Sequence, residues 1–304
     1  MAAPSISAEQ QLSAKDNLFL ILSNLANRGI SLWCVQKNVL GLKLNEAVYN
    51  LPVGTVDVLR CMYRTMTYPT GTASSTATTQ SMQYSSTTAI NTIGISPNSA
   101  ATYNLVVETS SNGVSWTTLY TVPSFTTTAS LPYWFDIEPT TTATYWRIRE
   151  TVLASLDVSS ASFGNTPLEI TMTKLNRDDY VDLPNKAFPG RPLQYWYDKQ
   201  YQVPRLWLWP VPDDTTAQIV VWNQRQIQDV GALTNTLEVP QRWIDAIIWL
   251  LAPYMALELP ADKIPPGRLE YLDAKAKEIL EQAEDGETDE APMRISPRIG
   301  CYTR

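Results

Sequence analysis

Hydrophobic positions repeat with two different periods along the chain, and the period changes where the composition does. From Ser7 to Asn27 the apolar residues Leu18, Leu22 and Leu25 fall at i, i+4 and i+7, and Gly29 follows as a stop; the spacing predicts an amphipathic helix. Extended chain begins at Trp33-Cys34-Val35, Val48–Thr55 reads as strand and turn, and Val56–Tyr63 as a strand. Between about Thr65 and Asn165 the chain is crowded with Ser and Thr, yet strand patterns persist inside it. They run over Tyr103–Thr109, Ser115–Val122, Tyr133–Ile137 and Thr144–Arg149, with Ser110-Ser111-Asn112-Gly113 as turn chemistry between the first two. That spacing predicts an all-β, jelly-roll-like sandwich in which threonine serves as strand residue. Three further strand-like runs, Leu193–Lys199, Arg205–Trp209 and Gln218–Gln226, predict a small antiparallel meander. A helix from Pro240 to Leu259 is apolar nearly all round, which predicts burial on most faces, and Pro253 predicts a kink. After the break at Pro260 and Pro265-Pro266-Gly267, Leu269, Leu272, Ala276, Ile279, Leu280 and Ala283 stripe a polar helix from Arg268 to about Glu284. Periodicity ends at Gly286.

The expected fold class is therefore α+β. A discontinuous base (1–69 and 166–285) holds helices and a small sheet, an inserted β-sandwich occupies 70–165, and 286–304 forms an extended C-terminal arm. An insert is tolerated where its two ends lie side by side.

Composition narrows the chemistry. The chain has 304 residues, a net charge of −7 and no histidine. Without histidine there is no Ser–His or Cys–His nucleophile pair, no imidazole base and no imidazole metal ligand. An acidic chain without a basic stripe is poorly suited to gripping nucleic-acid phosphates. Cys34, Cys61 and Cys301, an odd and widely spaced set, predict reduced thiols rather than a disulfide framework or a zinc site. The N-terminus lacks a basic region followed by an apolar one, and the most apolar window, Trp243–Leu257, contains Asp245 and Pro253 and is shorter than the ~20 residues of a membrane span. No secretory leader and no membrane contact are expected.

What remains is weighed residue by residue. Asp178-Asp179, near Asp182 and Glu169, is a carboxylate cluster, but neighbours on a strand face opposite ways, and turn or cap duty is the expectation. Asp213-Asp214 reads as a turn. Glycine-rich phosphate loops, calcium-loop spacing and paired metal ligands are all missing, so no catalytic residue, cofactor or metal is expected. Tyr195, Trp196, Tyr197, Tyr201, Trp207, Trp209 and Trp222 are expected in the core or at a subunit interface rather than in a ligand groove. In the insert, Trp116 and Trp134 are the candidate sugar-stacking residues, against an expectation of core for Trp116, Trp134 and Trp146 alike. Arg147 and Arg149 share a strand face and suit either an ion pair or a ligand.

The flanking halves resemble the head-to-tail adaptor (connector, or gatekeeper) proteins of short-tailed double-stranded DNA phages. The resemblance spans roughly 200 residues. It runs through Tyr49-Asn50-Leu51-Pro52-Val53-Gly54-Thr55, Leu175-Asn176-Arg177-Asp178-Asp179-Tyr180, Gly190-Arg191-Pro192, Leu206-Trp207-Leu208-Trp209-Pro210-Val211-Pro212-Asp213 and Leu237-Glu238-Val239-Pro240. It ends at Asp289-Glu290 and Arg294-Ile295-Ser296-Pro297. The insert resembles discoidin-like or carbohydrate-binding β-sandwiches, through Val107–Thr118 and Tyr145-Trp146-Arg147-Ile148-Arg149. The first resemblance implies a non-enzymatic virion protein of the neck, assembled in the host cytoplasm. It implies a homo-oligomeric ring, typically a dodecamer, bound to the portal protein, docking tail or fibre proteins and passing double-stranded DNA through its lumen without sequence-specific contact. The C-terminal arm, with Arg294, Ile295, Pro297, Arg298 and Tyr302, would meet the portal. The second resemblance implies glycan binding through the sandwich.

Overall fold

The computed structural model describes residues 8–28, 34–200, 202–226, 239–259 and 264–286. It divides into two units: 1–34 with 226–304, and 35–225.

The helical unit contains α1 (Ala8–Arg28), α3 (Gln241–Leu257) and α4 (Arg268–Asp285). Their shared core is Ile21, Leu22, Leu25, Cys34, Trp243, Ala246, Ile247 and Leu280. The i, i+4, i+7 spacing of α1 is thus the face that closes it, with Leu22 and Leu25 buried. The second helix departs from expectation. It buries Trp243, Ala246, Ile247, Pro253 and Ala256, but leaves Ile244, Ile248 and Leu257 exposed. Among the described residues only one of its two apolar stripes is covered.

The β unit contains β1 (Val35–Gly41), β2 (Val48–Asn50), β3 (Thr55–Thr67), β4 (Thr72–Ser75), β5 (Thr79–Pro97), β6 (Thr102–Tyr103), β7 (Leu105–Ser110), β8 (Thr117–Thr121), β9 (Phe125–Thr126), β10 (Tyr133–Glu150), β11 (Val158–Thr171), β12 (Thr173–Leu175), the short α2 (Arg177–Val181), β13 (Gln194–Asp198), β14 (Arg205–Trp209) and β15 (Gln218–Arg225). A nine-stranded sheet runs β1-β15-β3-β11-β5-β10-β7-β8, with β4 on β5; a second sheet runs β12-β13-β14-β2; β6 and β9 form a ribbon.

Chain order misleads at one place. The third run of the expected meander, β15, does not pair with β14; it lies between β1 and β3 in the larger sheet. Its burial explains the move. Gln218 to Val221 are all buried, so the strand needs cover on both faces, which a solvent-facing meander does not give. The two sheets close on Leu42, Tyr49, Val58, Cys61, Tyr195, Tyr197, Leu206, Leu208, Ile219 and Val221. The expected single base of helices plus small sheet is corrected accordingly: sheet and helices fall in different units, and each buries its apolar residues in its own core.

Within the same unit, β3 leads into the Thr-rich segment and β11 leads out, antiparallel, with Thr67 opposite Asn165 and Thr65 opposite Leu168. The 70–165 segment is built on two long strands, β5 and β10. Their pairing shifts register between Asp136 and Thr141 and again between Ala143 and Tyr145. Bulges bend strands, and the two halves of each strand share one core: Trp146, Ile148, Leu105 and Val107 with Ile90, Ile93, Ile95 and Phe163. This is the β-sandwich, and the protein is mostly β. Among the described residues no helix is long and apolar enough to cross a membrane.

Sandwich and base are joined by charge as well as by chain. Arg64 of β3 is buried, and its guanidinium donates to Glu169 on β11 (Nε, 2.9 Å) and to Asp136 on β10 (Nη1, 2.7 Å). Lys37 of β1 reaches the other oxygen of Asp136 at 2.5 Å, and Thr92 donates to the first at 2.8 Å. Burial alone would push the Asp136 carboxyl up; Arg64 and Lys37 outweigh it and hold it below the usual carboxylate range.

Candidate functional site

The outer face of the sandwich's first layer is where functional side chains gather. Tyr145, Arg147 and Arg149 alternate with the buried Trp146 and Ile148 along β10, so they point outward together. Register places Ser110, Glu108 and Val106 of β7 opposite them on one side, and Gln83, Ser81 and Thr79 of β5 on the other.

Glu108 organises this face. Its carboxylate is buried and accepts from Arg147 Nε (2.6 Å), Arg149 Nε (3.0 Å) and Arg149 Nη2 (2.8 Å). The hydrogen bond from Arg149, against the opposing effect of burial, holds the Glu108 carboxyl low. Two guanidinium groups around one carboxylate leave a net positive charge and free N–H donors on an open surface. Charge-assisted bonds of this kind fix arginine forks in place.

The loop between β7 and β8 supplies the aromatic component. Ser110 Oγ accepts from the Asn112 and Gly113 amides, and Asn112 Oδ1 accepts from those of Val114 and Ser115. Gly113 takes φ +73°, a conformation that favours glycine, and a side chain there would also press on the Tyr145 ring. The turn delivers Trp116, half-buried, beneath Arg147, whose guanidinium carbon lies 4.0 Å from the indole centroid. Tyr145 Oη accepts from Gln83 Nε2 at 3.1 Å beside it.

The three sandwich tryptophans therefore separate. Trp146 is wholly buried and donates Nε1–H to the carbonyls of Ala143 and Thr88. Trp134 is 8% exposed, with its ring against Gly94 and tilted on Tyr68 at 6.2 Å. It is a packing residue, and its place as a sugar-stacking candidate is withdrawn. Trp116 alone keeps ring surface at an open face. Arg147 and Arg149, left open between ion pair and ligand, make the ion pair and still face out. Glu108, the residue that organises them, carries no signal in the sequence.

The other candidates resolve into structure. Asn176 caps α2 by accepting from the Asp179 amide, and Asp178 and Asp179 occupy its first turn. Asp214 closes the turn before β15 by accepting from the Thr216 amide and hydroxyl. Among the described residues no group of carboxylates and cysteines is arranged to hold a metal. Tyr195 and Tyr197 are core; Trp196 and Trp207 stack at 5.7 Å on the opposite face of their sheet, with Tyr180 stacked on Trp196 at 5.4 Å. Trp222 is 37% exposed, and Trp209 donates to the Asn185 carbonyl. Cys34 and Cys61 are buried thiols. Tyr201, Cys301 and the arm residues Arg294, Ile295, Pro297, Arg298 and Tyr302 lie outside the described residues.

No protein-family model and no curated relative matches the chain. Among solved structures it is similar to the C-terminal domain of a chitobiase from Bacteroides fragilis (14% identity, covering 31% of this chain and 64% of that one, TM-score 0.23). It is also similar to CpGH89CBM32-6 of Clostridium perfringens (9%, covering 43% and 92%, TM-score 0.25). A third is a variant of chitosan-binding module 1 of a chitosanase/glucanase from Paenibacillus sp. IK-5 (12%, covering 45% and 100%, TM-score 0.24). Each overlays less than half of this chain.

Proposed function

We propose that this is a non-enzymatic recognition protein whose inserted sandwich binds carbohydrate on the face around Trp116. One observation carries the reading: an indole with ring surface at an open face, set beside Tyr145 and two arginines that Glu108 holds in place. Sugars are recognised by stacking of C–H faces on aromatic rings, with fixed polar groups reading the hydroxyls. A glycan array probed with the full chain and with Trp116→Ala tests it. The wild type binds a defined glycan set and the variant loses it at an unchanged unfolding midpoint. A blank array, or equal binding by the variant, overturns the reading.

A second reading is favoured by the helical unit. Exposed Leu12, Phe19 and Leu20 on α1, with Ile244 and Ile248 on α3, are apolar surface of the kind that meets partner subunits. Together with the resemblance of the flanking halves, this supports a head-to-tail adaptor: a ring subunit of the virion neck, binding the portal and the tail. The two readings use different residues, and one chain accommodates both. Electron microscopy of the chain mixed with its portal ring tests the second; a particle in which the chain stays monomeric without portal contact removes it.

A further inference from the structure

The larger sheet ends at β1 and the smaller one at β2, and among the described residues neither end strand is paired on its outer side. A cavity of about 490 Å³ opens against them, roofed by the sandwich segment Thr128–Tyr133. That is within the roughly 300–1,000 Å³ typical of small-molecule sites. The roof is seated closely: a Cβ on Gly41 of β1 would stand 2.1 Å from the Pro132 carbonyl oxygen, so only glycine fits beneath it. Leu131, Pro132 and the Tyr133 ring give the cavity an apolar wall, while Asn50 and Thr128 bring polar side chains. The Tyr133 ring is itself braced on Phe125 at 5.4 Å, and its hydroxyl accepts from the Thr128 amide at 2.8 Å.

The charges are unbalanced. Lys43 faces Glu46 at 3.6 Å. Arg205, exposed on β14, makes no ion pair among the described residues: its cross-strand neighbour Asp198 takes its hydrogen bonds from Gln200. A guanidinium in no ion pair, lining a cavity with an apolar wall, presents a fork suited to a carboxylate.

We propose that this cavity binds an acidic sugar of one or two rings, its carboxylate on Arg205, its C–H face on Tyr133 and Pro132, and its hydroxyls on Asn50 and Thr128. The site shares no residue with the outer face around Trp116 and stands independently of it.

The full chain is titrated with galacturonate, galactose and acetate by calorimetry or ligand-observed NMR. Galacturonate binds, and galactose binds at least about tenfold more weakly, since a charged hydrogen-bond pair is missing. Acetate at equal concentration does not compete. Arg205→Gln loses at least about tenfold in galacturonate affinity, and Asn50→Ala gives a smaller loss that supplies the same test should Arg205→Gln fail to fold. Trp116→Ala binds galacturonate as the wild type does. The proposal is overturned if galacturonate does not bind, if galactose binds equally, if acetate competes as well, or if Arg205→Gln and Asn50→Ala are both silent. Loss of galacturonate binding in Trp116→Ala also overturns it and assigns the ligand to the outer face. A blank array with galacturonate binding intact removes the outer-face reading alone.

Discussion

The β unit and the helical unit satisfy their hydrophobic residues to different extents. In residues 35–225 two cores close within the chain, one between the sheets of the base and one inside the sandwich, and their largest side chains, Trp146 and Tyr103 among them, are almost completely buried. Among the described residues of the helical unit a single small core closes while aliphatic residues on α1 and α3 are exposed. Apolar area removed from water is the main favourable contribution to folding. Among the described residues the β unit closes two large cores, although Val53, Val114 and Phe188 stay exposed in its loops, whereas in the helical unit exposed aliphatic residues lie on the helices themselves. Under the proposed readings, this difference would separate a recognition element from an assembly element within one chain.

The largest test of that contrast is Trp146→Ala. The side chain fills the sandwich core, so truncation costs about 3–5 kcal/mol, transfer and cavity together. Chemical denaturation should show the loss in the β unit, with the α-helical transition unmoved. If both transitions shift together, the two units are not energetically separate.

Arg64→Met follows closely, at about 3 kcal/mol, because it leaves Glu169 without its cation and Asp136 with Lys37 alone. Acid titration sharpens the point. The Asp136 carboxyl sits below its ordinary value in the fold, so its contribution is fully present above the ordinary carboxylate pKa of ~4 and is lost as the pH falls through the lowered value. Asp136→Asn should therefore flatten the acid limb of the stability curve below pH ~4 while lowering the plateau at neutral pH. An unchanged acid limb would show that the ion pair does not govern it.

The sequence made some of this legible and hid the rest for physical reasons. The bounds of α1 were readable because Leu18, Leu22 and Leu25 report a single helical face. The sandwich was readable because Tyr103–Thr109 and Thr144–Arg149 alternate. By contrast β5 went unread: it runs from Thr79 to Pro97, bends at a bulge and serves two layers, so no single alternation spans it. The place of β15 was misread because nearness along the chain does not decide sheet membership across the Pro210–Pro212 turn. The Arg64 cluster leaves no local signal at all, its partners lying 72 and 105 residues away. The Arg205 cavity is likewise a product of tertiary structure, where a sandwich loop is laid on a glycine of the base. Arg147 and Trp116 were visible as residue types, but their partnership depends on a turn that Asn112 and Gly113 shape.

The smallest expected change in stability is also the most discriminating. Ile248 on α3 is 59% exposed, so Ile248→Ser should alter the stability of the isolated chain by no more than about 0.5 kcal/mol, the usual scale for surface substitutions. If the outward stripe of α3 meets another subunit, the same change removes apolar area from that contact and places a hydroxyl in it. Self-association, or association with a portal ring, should then weaken by at least about tenfold, since burying one aliphatic side chain contributes about 1.5–3 kcal/mol. Sedimentation velocity across a concentration series reads both quantities on the same sample. A variant that assembles like the wild type would mean that the stripe faces solvent in use, and the division between a self-contained β unit and a partner-seeking helical unit would no longer hold.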